Sequence, residues 1–401
     1  MKRLRVAAAL LTGALLSASP YLSAQTVQSA AWPTSSWSQS TLQEQGMDPT
    51  ALQALLGNLE SRQFGYVDRL LVIRNGYVVV NERFDNDYRR ISRGQRGPLG
   101  CGTDACRDDS EIHPYNYLHP DLHPYYRGRD VHSLQSVTKS VAATVLGAAI
   151  HNGAIASVEA PLLSFFDDYD LSGIDPQLRG ATLDDLMTMR SGIEWHESDR
   201  PFDDTNTTIQ LEHSADWIQF TLDQPMDAVP GAKWVYNSGG SHLMSGVVRD
   251  ATGVHLNEYA EEHLFGPLGI DDYHWKTSPR GFVDTEGGLY LEAEQLAKIG
   301  YLYLNDGVWD GDRLLPEGWV EAATDRHVDG VNPQGWGYGY QWWRPDTSGV
   351  EVWAGLGFGG QYLLVLPEYG VIGVINSWNV FPERFPGVLR PFLMGLIESV
   401  L

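Results

Sequence analysis

Ser136-Val137-Thr138-Lys139 sets a hydroxyl and an amine three residues apart at the start of a segment patterned as a helix. Residues i and i+3 share a helix face, so both groups would point the same way. A serine hydroxyl is a poor nucleophile until a base takes its proton, and a lysine whose pKa is lowered by burial can be that base. The helix N-terminus and a backbone N–H would help hold the negative charge that develops in the reaction. With 27 serines and five lysines in the chain, chance supplies roughly 0.3 such spacings. Taken alone, the element also fits a capping serine and a solvated lysine. Against that plain reading, Lys139 stands in an otherwise apolar run, in a chain that relies mostly on arginine for positive charge.

Two further elements could serve the same chemistry. Tyr236-Asn237-Ser238-Gly239-Gly240 follows a turn signal at Pro230-Gly231. A tyrosine coupled to a lysine can protonate a leaving group and later activate water, although a tyrosine alone is more often structural. Gly355-Leu356-Gly357-Phe358-Gly359-Gly360-Gln361 precedes an apolar run at Tyr362–Leu366. Such glycines allow close backbone approach at a strand edge, where an N–H can complete an oxyanion hole begun by the N–H of Ser136. A glycine-rich hairpin turn is the plain alternative. The chain has no G-x-x-x-x-G-K-[ST] phosphate loop, no G-x-S-x-G elbow and no H-E-x-x-H metal helix.

The chain that must position these residues has 401 residues, 43% hydrophobic, with 28 Lys+Arg against 51 Asp+Glu. It is too long for a disulfide-stapled mini-protein and too apolar for a disordered one. A formal charge of −23 argues against a nucleic-acid partner, which calls for a basic footprint. Lys2, Arg3 and Arg5, then an apolar stretch from Val6 to about Leu16, then Leu22-Ser23-Ala24, form the three-part pattern of a secretory signal peptide over residues 1–24. A secreted or periplasmic protein is therefore expected. The mature chain would carry a charge of about −26 and no membrane span, since no later run reaches ~18 apolar residues. Cys101 and Cys106 fit a small disulfide loop better than a redox pair.

The lead-in and first helix occupy residues 25–64. Asp48-Pro49 reads as an N-cap followed by proline in the first turn, with Ala51, Leu52, Leu55, Leu56 and Leu59 as the apolar face. Leu70–Arg74 and Tyr77–Val80 flank Asn75-Gly76, the strongest short hairpin signal. Residues 86–131 read as a long loop insertion forming a rim or lid over the pocket. His113, His119, Asp121 and His123 fall in it without a ligand register, so no metal is expected. Ser136 to about Asn152 is helical and ends at Gly153. Residues 160–325 are mostly helical pieces and loops. Strands return at Tyr362–Leu366 and Val371–Asn376, and Pro382–Leu401 reads as an apolar helix interrupted by Pro386 and Pro391. Strands at both ends with helices between predict one sheet completed by distant parts of the chain.

The order Ser-x-x-Lys, Tyr, glycine-rich strand resembles the serine β-lactamase and penicillin-binding-protein superfamily. It is most similar to the class C-like branch with its family VIII-type esterases and 6-aminohexanoate-dimer hydrolases. The stretches that carry the resemblance are HSLQSVTKS at 132–140, LMTMRSGIEW at 186–195, PGAKWVYNSGG at 230–240, GGLYLEAEQLAKIGYLYLNDGVW at 287–309 and GFGGQYLLVLPE at 357–368. It implies an α+β, class C β-lactamase-like fold over 65–401, with an antiparallel sheet flanked by helices and a mostly helical lobe. It implies a cofactor-free serine hydrolase acting on a small ester or amide through an acyl-enzyme on Ser136. Lys139 would be its base and Tyr236 the second acid/base.

In one register Gly355-Leu356-Gly357 takes the place of the family's K-T-G or H-T-G triplet, with Phe358 giving the oxyanion N–H. In another, Trp353-Ala354-Gly355 does. Two departures stand out. Ser238 takes the place of the family's asparagine after the tyrosine and would replace the amide that bonds the lysine. The first register also lacks the cation that helps hold a substrate carboxylate, which weighs against potent β-lactamase or D-Ala-D-Ala peptidase activity. The absence of an S-D-N element weighs against a class A enzyme. A non-catalytic sensor on the same fold is the alternative from another class.

Overall fold

The computed structural model describes residues 31–87, 131–201, 203–331, 335–347, 349–379 and 386–401. The signal segment, both cysteines, the histidines of the long loop and all of that loop between 88 and 130 lie outside the described residues. The Asn-Gly signal builds the first hairpin of the sheet. Strands β2 (Val67–Arg74) and β3 (Tyr77–Arg83) pair antiparallel with Arg74 opposite Tyr77. Between them Asn75 and Gly76 take φ of 52° and 81°, the left-handed pair that a two-residue hairpin turn demands. Upstream, β1 (Ser38–Gln39) lies parallel to β3. Helix α1 (Pro49–Glu60) starts where expected, its N-cap Asp48 accepting from the Thr50 N–H at 2.8 Å.

Helix α2 (Val137–His151) is apolar on every side, and each residue from Val137 to Ala149 is buried. A helix without a polar stripe belongs inside a domain. α2 lies between the sheet and helix α3 (Ser238–Thr252) of the helical lobe. Helix α4 (Ala293–Leu304) covers the sheet on the same side, against the last strands.

The C-terminal third supplies β4 (Val328–Val331), β5 (Trp336–Tyr338), β6 (Trp343–Arg344), β7 (Trp353–Gly357), β8 (Gln361–Leu366) and β9 (Val371–Ser377). The order across the sheet is β1-β3-β2-β9-β8-β7-β6-β5-β4. All neighbours except β1 and β3 are antiparallel. β9 closes on β2 with Ile372 opposite Ile73 and Val374 opposite Leu71, so the two ends of the chain do complete one sheet.

Side-chain alternation then sorts two cores. Leu71, Ile73, Ile372 and Val374 face α2, α4 and the lobe. Leu70, Val72, Val371 and Ile375 face α1 and helix α5 (Leu389–Glu398). Each fully buried leucine or isoleucine contributes on the order of 1.5–3 kcal/mol of transfer free energy.

One sequence expectation changes. Pro391 does not interrupt the last helix; it sits in the first turn of α5, where its missing N–H removes no intrahelical bond. The glycine-rich segment before Tyr362 is a strand and a turn together, with β7 paired to β8 through Gly357 and Gln361.

Candidate active site

The turn before α2 is shaped by Gln135, which holds φ at +50°, an uncommon conformation for a residue with a side chain. Its buried amide donates to Ser133 Oγ at 2.9 Å. The next residue, Ser136, makes no side-chain cap bond to the helix. Its Oγ instead accepts from Lys139 Nζ at 3.1 Å. Lys139 is 1% exposed and donates also to the main-chain oxygen of Glu286 at 2.6 Å. The capping serine and the solvated lysine are thus both replaced by a half-buried serine bonded to a buried lysine.

Tyr236 joins them from the segment that enters α3. Lys139 Nζ lies 5.2 Å from its ring centroid, and Tyr236 is coupled electrostatically to Lys139. The ring is held by Trp343, stacked at 6.0 Å, and by Trp234 at 6.2 Å. Asn237 caps α3 by accepting from Gly240 N–H at 2.6 Å. Ser238 does not supply the expected bond to the lysine. Its hydroxyl and N–H go to the Glu197 carboxylate at 2.8 and 3.0 Å, while the acceptors of Lys139 are Ser136 and the Glu286 carbonyl.

These groups open into a cleft of about 420 Å³ lined by Ser136, Tyr236, Ser238, Leu356, Gly357 and Phe358, among others. All six of the residues singled out in the sequence are therefore at this place: Lys139 lies beneath its floor and the other five line it. Trp353 does not line the cleft; it is buried, with its indole N–H on Glu351 at 3.1 Å. The register with Gly355-Leu356-Gly357 is the one that faces the turn carrying Ser136.

Sequence reasoning missed Glu197, Glu286 and Gln135, which also line the cleft. In a chain with 51 acids nothing in the spacing marks these two, which fall just outside the stretches that carry the family resemblance. They reverse one expectation. Burial pulls the Lys139 pKa down, but Tyr236, Glu197, Glu286 and Asp284 together outweigh it and hold the ammonium above the ordinary lysine value. Burial, then Asp284, pushes the Glu286 carboxyl up to about 8. Tyr236 is also raised, by burial first and Glu197 further, with Lys139 and Ser136 pulling back. At neutral pH the resting couple is an ammonium beside a neutral phenol. Loss of one proton leaves an amine that can accept the serine's. Among the described residues no three His, Cys, Asp or Glu side chains are placed to hold a metal, and no helix is long and apolar enough to cross a membrane.

The Beta-lactamase family profile matches residues 70–392. The 6-aminohexanoate-dimer hydrolase of Paenarthrobacter ureafaciens is 28% identical over 288 residues, 64% of this chain and 70% of that protein. Among solved structures, a family VIII carboxylesterase superposes with TM-score 0.61 at 15% identity, covering 90% of this chain and 98% of that one. The octameric penicillin-binding protein homologue of Pyrococcus abyssi gives 0.60 at 17%, covering 88% and 77%. The structural likenesses speak for the fold; the profile match over most of the chain places this protein in the Beta-lactamase family, among relatives named as hydrolases.

Proposed function

We propose that this chain is a serine acyl hydrolase that cleaves a small ester or amide through an acyl-enzyme on Ser136. The observation that carries the reading is the 3.1 Å contact between Ser136 Oγ and a buried Lys139 Nζ, with Tyr236 at the same cleft. Ser136 Oγ attacks the carbonyl carbon as its proton passes to the deprotonated Lys139–Tyr236 couple. The oxyanion is held by the N–H groups of Ser136 and Phe358. Tyr236 protonates the leaving alcohol or amine and the C–O or C–N bond breaks, leaving an ester on Ser136. Water then attacks the acyl carbon as the couple takes its proton, and the couple returns that proton to Ser136 Oγ as the acyl carbon–Oγ bond breaks and the acid departs. A relative named as a 6-aminohexanoate-dimer hydrolase and a structural neighbour named as a family VIII carboxylesterase support this substrate range.

The test is chemical trapping. Acid quenching during turnover of a short-chain p-nitrophenyl ester is expected to leave one acyl group on the protein, and peptide mapping is expected to place it on Ser136. An adduct on another residue, or release of nitrophenol with no adduct and no dependence on Ser136, would overturn the reading. Turnover of penicillin at rates rivalling the ester would instead favour a β-lactamase. An adduct that never hydrolyses would favour a sensor.

The acids impose a pH signature. The active form lacks one proton of the Lys139–Tyr236 couple, so kcat/KM climbs as pH rises through that ionisation. Glu197 raises both pKa values. Glu197→Gln removes the charge and is expected to move the ascending limb of the kcat/KM profile to lower pH. A limb that stays in place, or moves upward, would remove Glu197 from this electrostatic role.

A further inference from the structure

A second cavity, of about 680 Å³, adjoins the nucleophile's cleft. Tyr236 and Ser198 line both, whereas Ser136, Gly357 and Phe358 line only the first. Resting on the acyl-transfer reading above, we propose that this second cavity holds the departing half of the substrate. It takes an elongated apolar alcohol or amine and discriminates against one that ends in a carboxylate.

The direction of the substrate follows from the reaction. The attacked carbon is fixed by Ser136 and its oxygen by donors in the first cleft. Its leaving heteroatom must reach the proton donor, which is Tyr236. Whatever is attached to that heteroatom runs past Tyr236, and past Tyr236 lies the second cavity. Apolar surface there comes from Trp234, whose ring is 6.2 Å from that of Tyr236, and from Val328 and Val331 of the edge strand β4.

The polar rim supplies the charge preference. His196 is held between Asp199 at 2.9 Å and Glu194 at 3.0 Å. Lys233 is held by Asp227. Asp329 lies 2.6 Å from Arg326. The lining thus holds four carboxylates against one lysine and one histidine, and both of those basic groups already have carboxylate partners. A terminal carboxylate on the leaving group would meet like charge on the rim. A terminal methyl would meet tryptophan and valine.

The experiment holds the acyl group constant as butyrate and varies the alcohol: methyl, propyl, hexyl and the hexyl chain ending in a carboxylate. Full burial of a methylene is worth roughly three- to fourfold, and in an open cavity part of that is realised. kcat/KM is expected to rise about tenfold from methyl to hexyl and to fall by about tenfold or more when the hexyl chain ends in a carboxylate. Val328→Trp, which fills the cavity from β4, is expected to bring the hexyl-to-methyl ratio close to one. The ratio cancels any general loss of catalysis in the variant.

A flat series in hydrolysis that depends on Ser136, or a ratio unchanged in Val328→Trp, overturns this inference and leaves the acyl-transfer reading standing. Ester cleavage that persists undiminished in Ser136→Ala, or no cleavage of any ester, overturns both.

Discussion

Ser136→Ala and Lys139→Met are each expected to lower kcat/KM for a short-chain ester by about 10⁴-fold, and the double variant by hardly more. The reason lies in how the pair is built. Ser136 Oγ has Lys139 Nζ at 3.1 Å, and Lys139 is buried with its second bond on the Glu286 carbonyl. Among the described residues, the one other basic side chain that lines the cleft is Arg200, whose guanidinium cannot act as a base. Removing the amine leaves a serine with its ordinary, inert hydroxyl; removing the serine leaves a base with no nucleophile. In the acyl-transfer reading proposed above, each loss, roughly 5 kcal/mol of transition-state stabilisation, is therefore the loss of one shared step, and the two cannot add.

Methionine at 139 keeps most of the buried volume. Glu286, whose carboxyl already sits at about 8, takes up a proton more readily once the ammonium is gone, which spares the fold. Steady-state kinetics of the three variants, alongside their thermal midpoints, decide the matter. A Lys139→Met enzyme only a few-fold slower, or a double variant showing the product of the single losses, would show that the two residues do not act as a unit.

How much of this was readable beforehand depends on the range over which each signal acts. Asn75-Gly76 and Asp48-Pro49 act through their own backbones, so the hairpin and the start of α1 stand in the sequence as they stand in the fold. The Ser136–Lys139 pair was legible because one helical turn sets its geometry. Tyr236 and the strand of Gly357 needed the family resemblance, since they reach Ser136 only through tertiary packing, about 100 and 220 residues along the chain.

Strands β4 to β6, two to four residues each, are too short to show a period of two. Glu197 and Glu286 carried no signal because a carboxylate becomes unusual only when buried beside others. The charge of Lys139 was misjudged for the same reason. Burial alone would have lowered its pKa, and it is the unforeseen acids that reverse the sign.

Gly357→Ala is expected to lower kcat/KM by about 10²- to 10³-fold, an unusually large effect for one methyl group. At Gly357 a Cβ would lie 2.3 Å from the main-chain oxygen of Leu134 and 2.9 Å from Gln361 Cβ. The first of these neighbours cannot rotate aside. Leu134 O accepts the Val137 N–H at 3.2 Å at the start of α2, so the strand must withdraw from the nucleophile's turn.

Withdrawal carries Phe358 with it. In the reading proposed above, its N–H is the oxyanion donor that faces the N–H of Ser136, and a donor displaced by about an ångström contributes little. The same strand provides the control. At Gly355 a Cβ would meet Val137 Cγ1 at 3.0 Å and Ser140 Oγ at 3.4 Å, both side-chain atoms that can give way, so Gly355→Ala is expected to cost less than tenfold. Measured under identical conditions, the two variants separate a general disturbance of β7 from a specific need for close backbone approach at 357. Equal losses would point to the former, and a Gly357→Ala enzyme as active as the parent would rule out an oxyanion hole built from this strand.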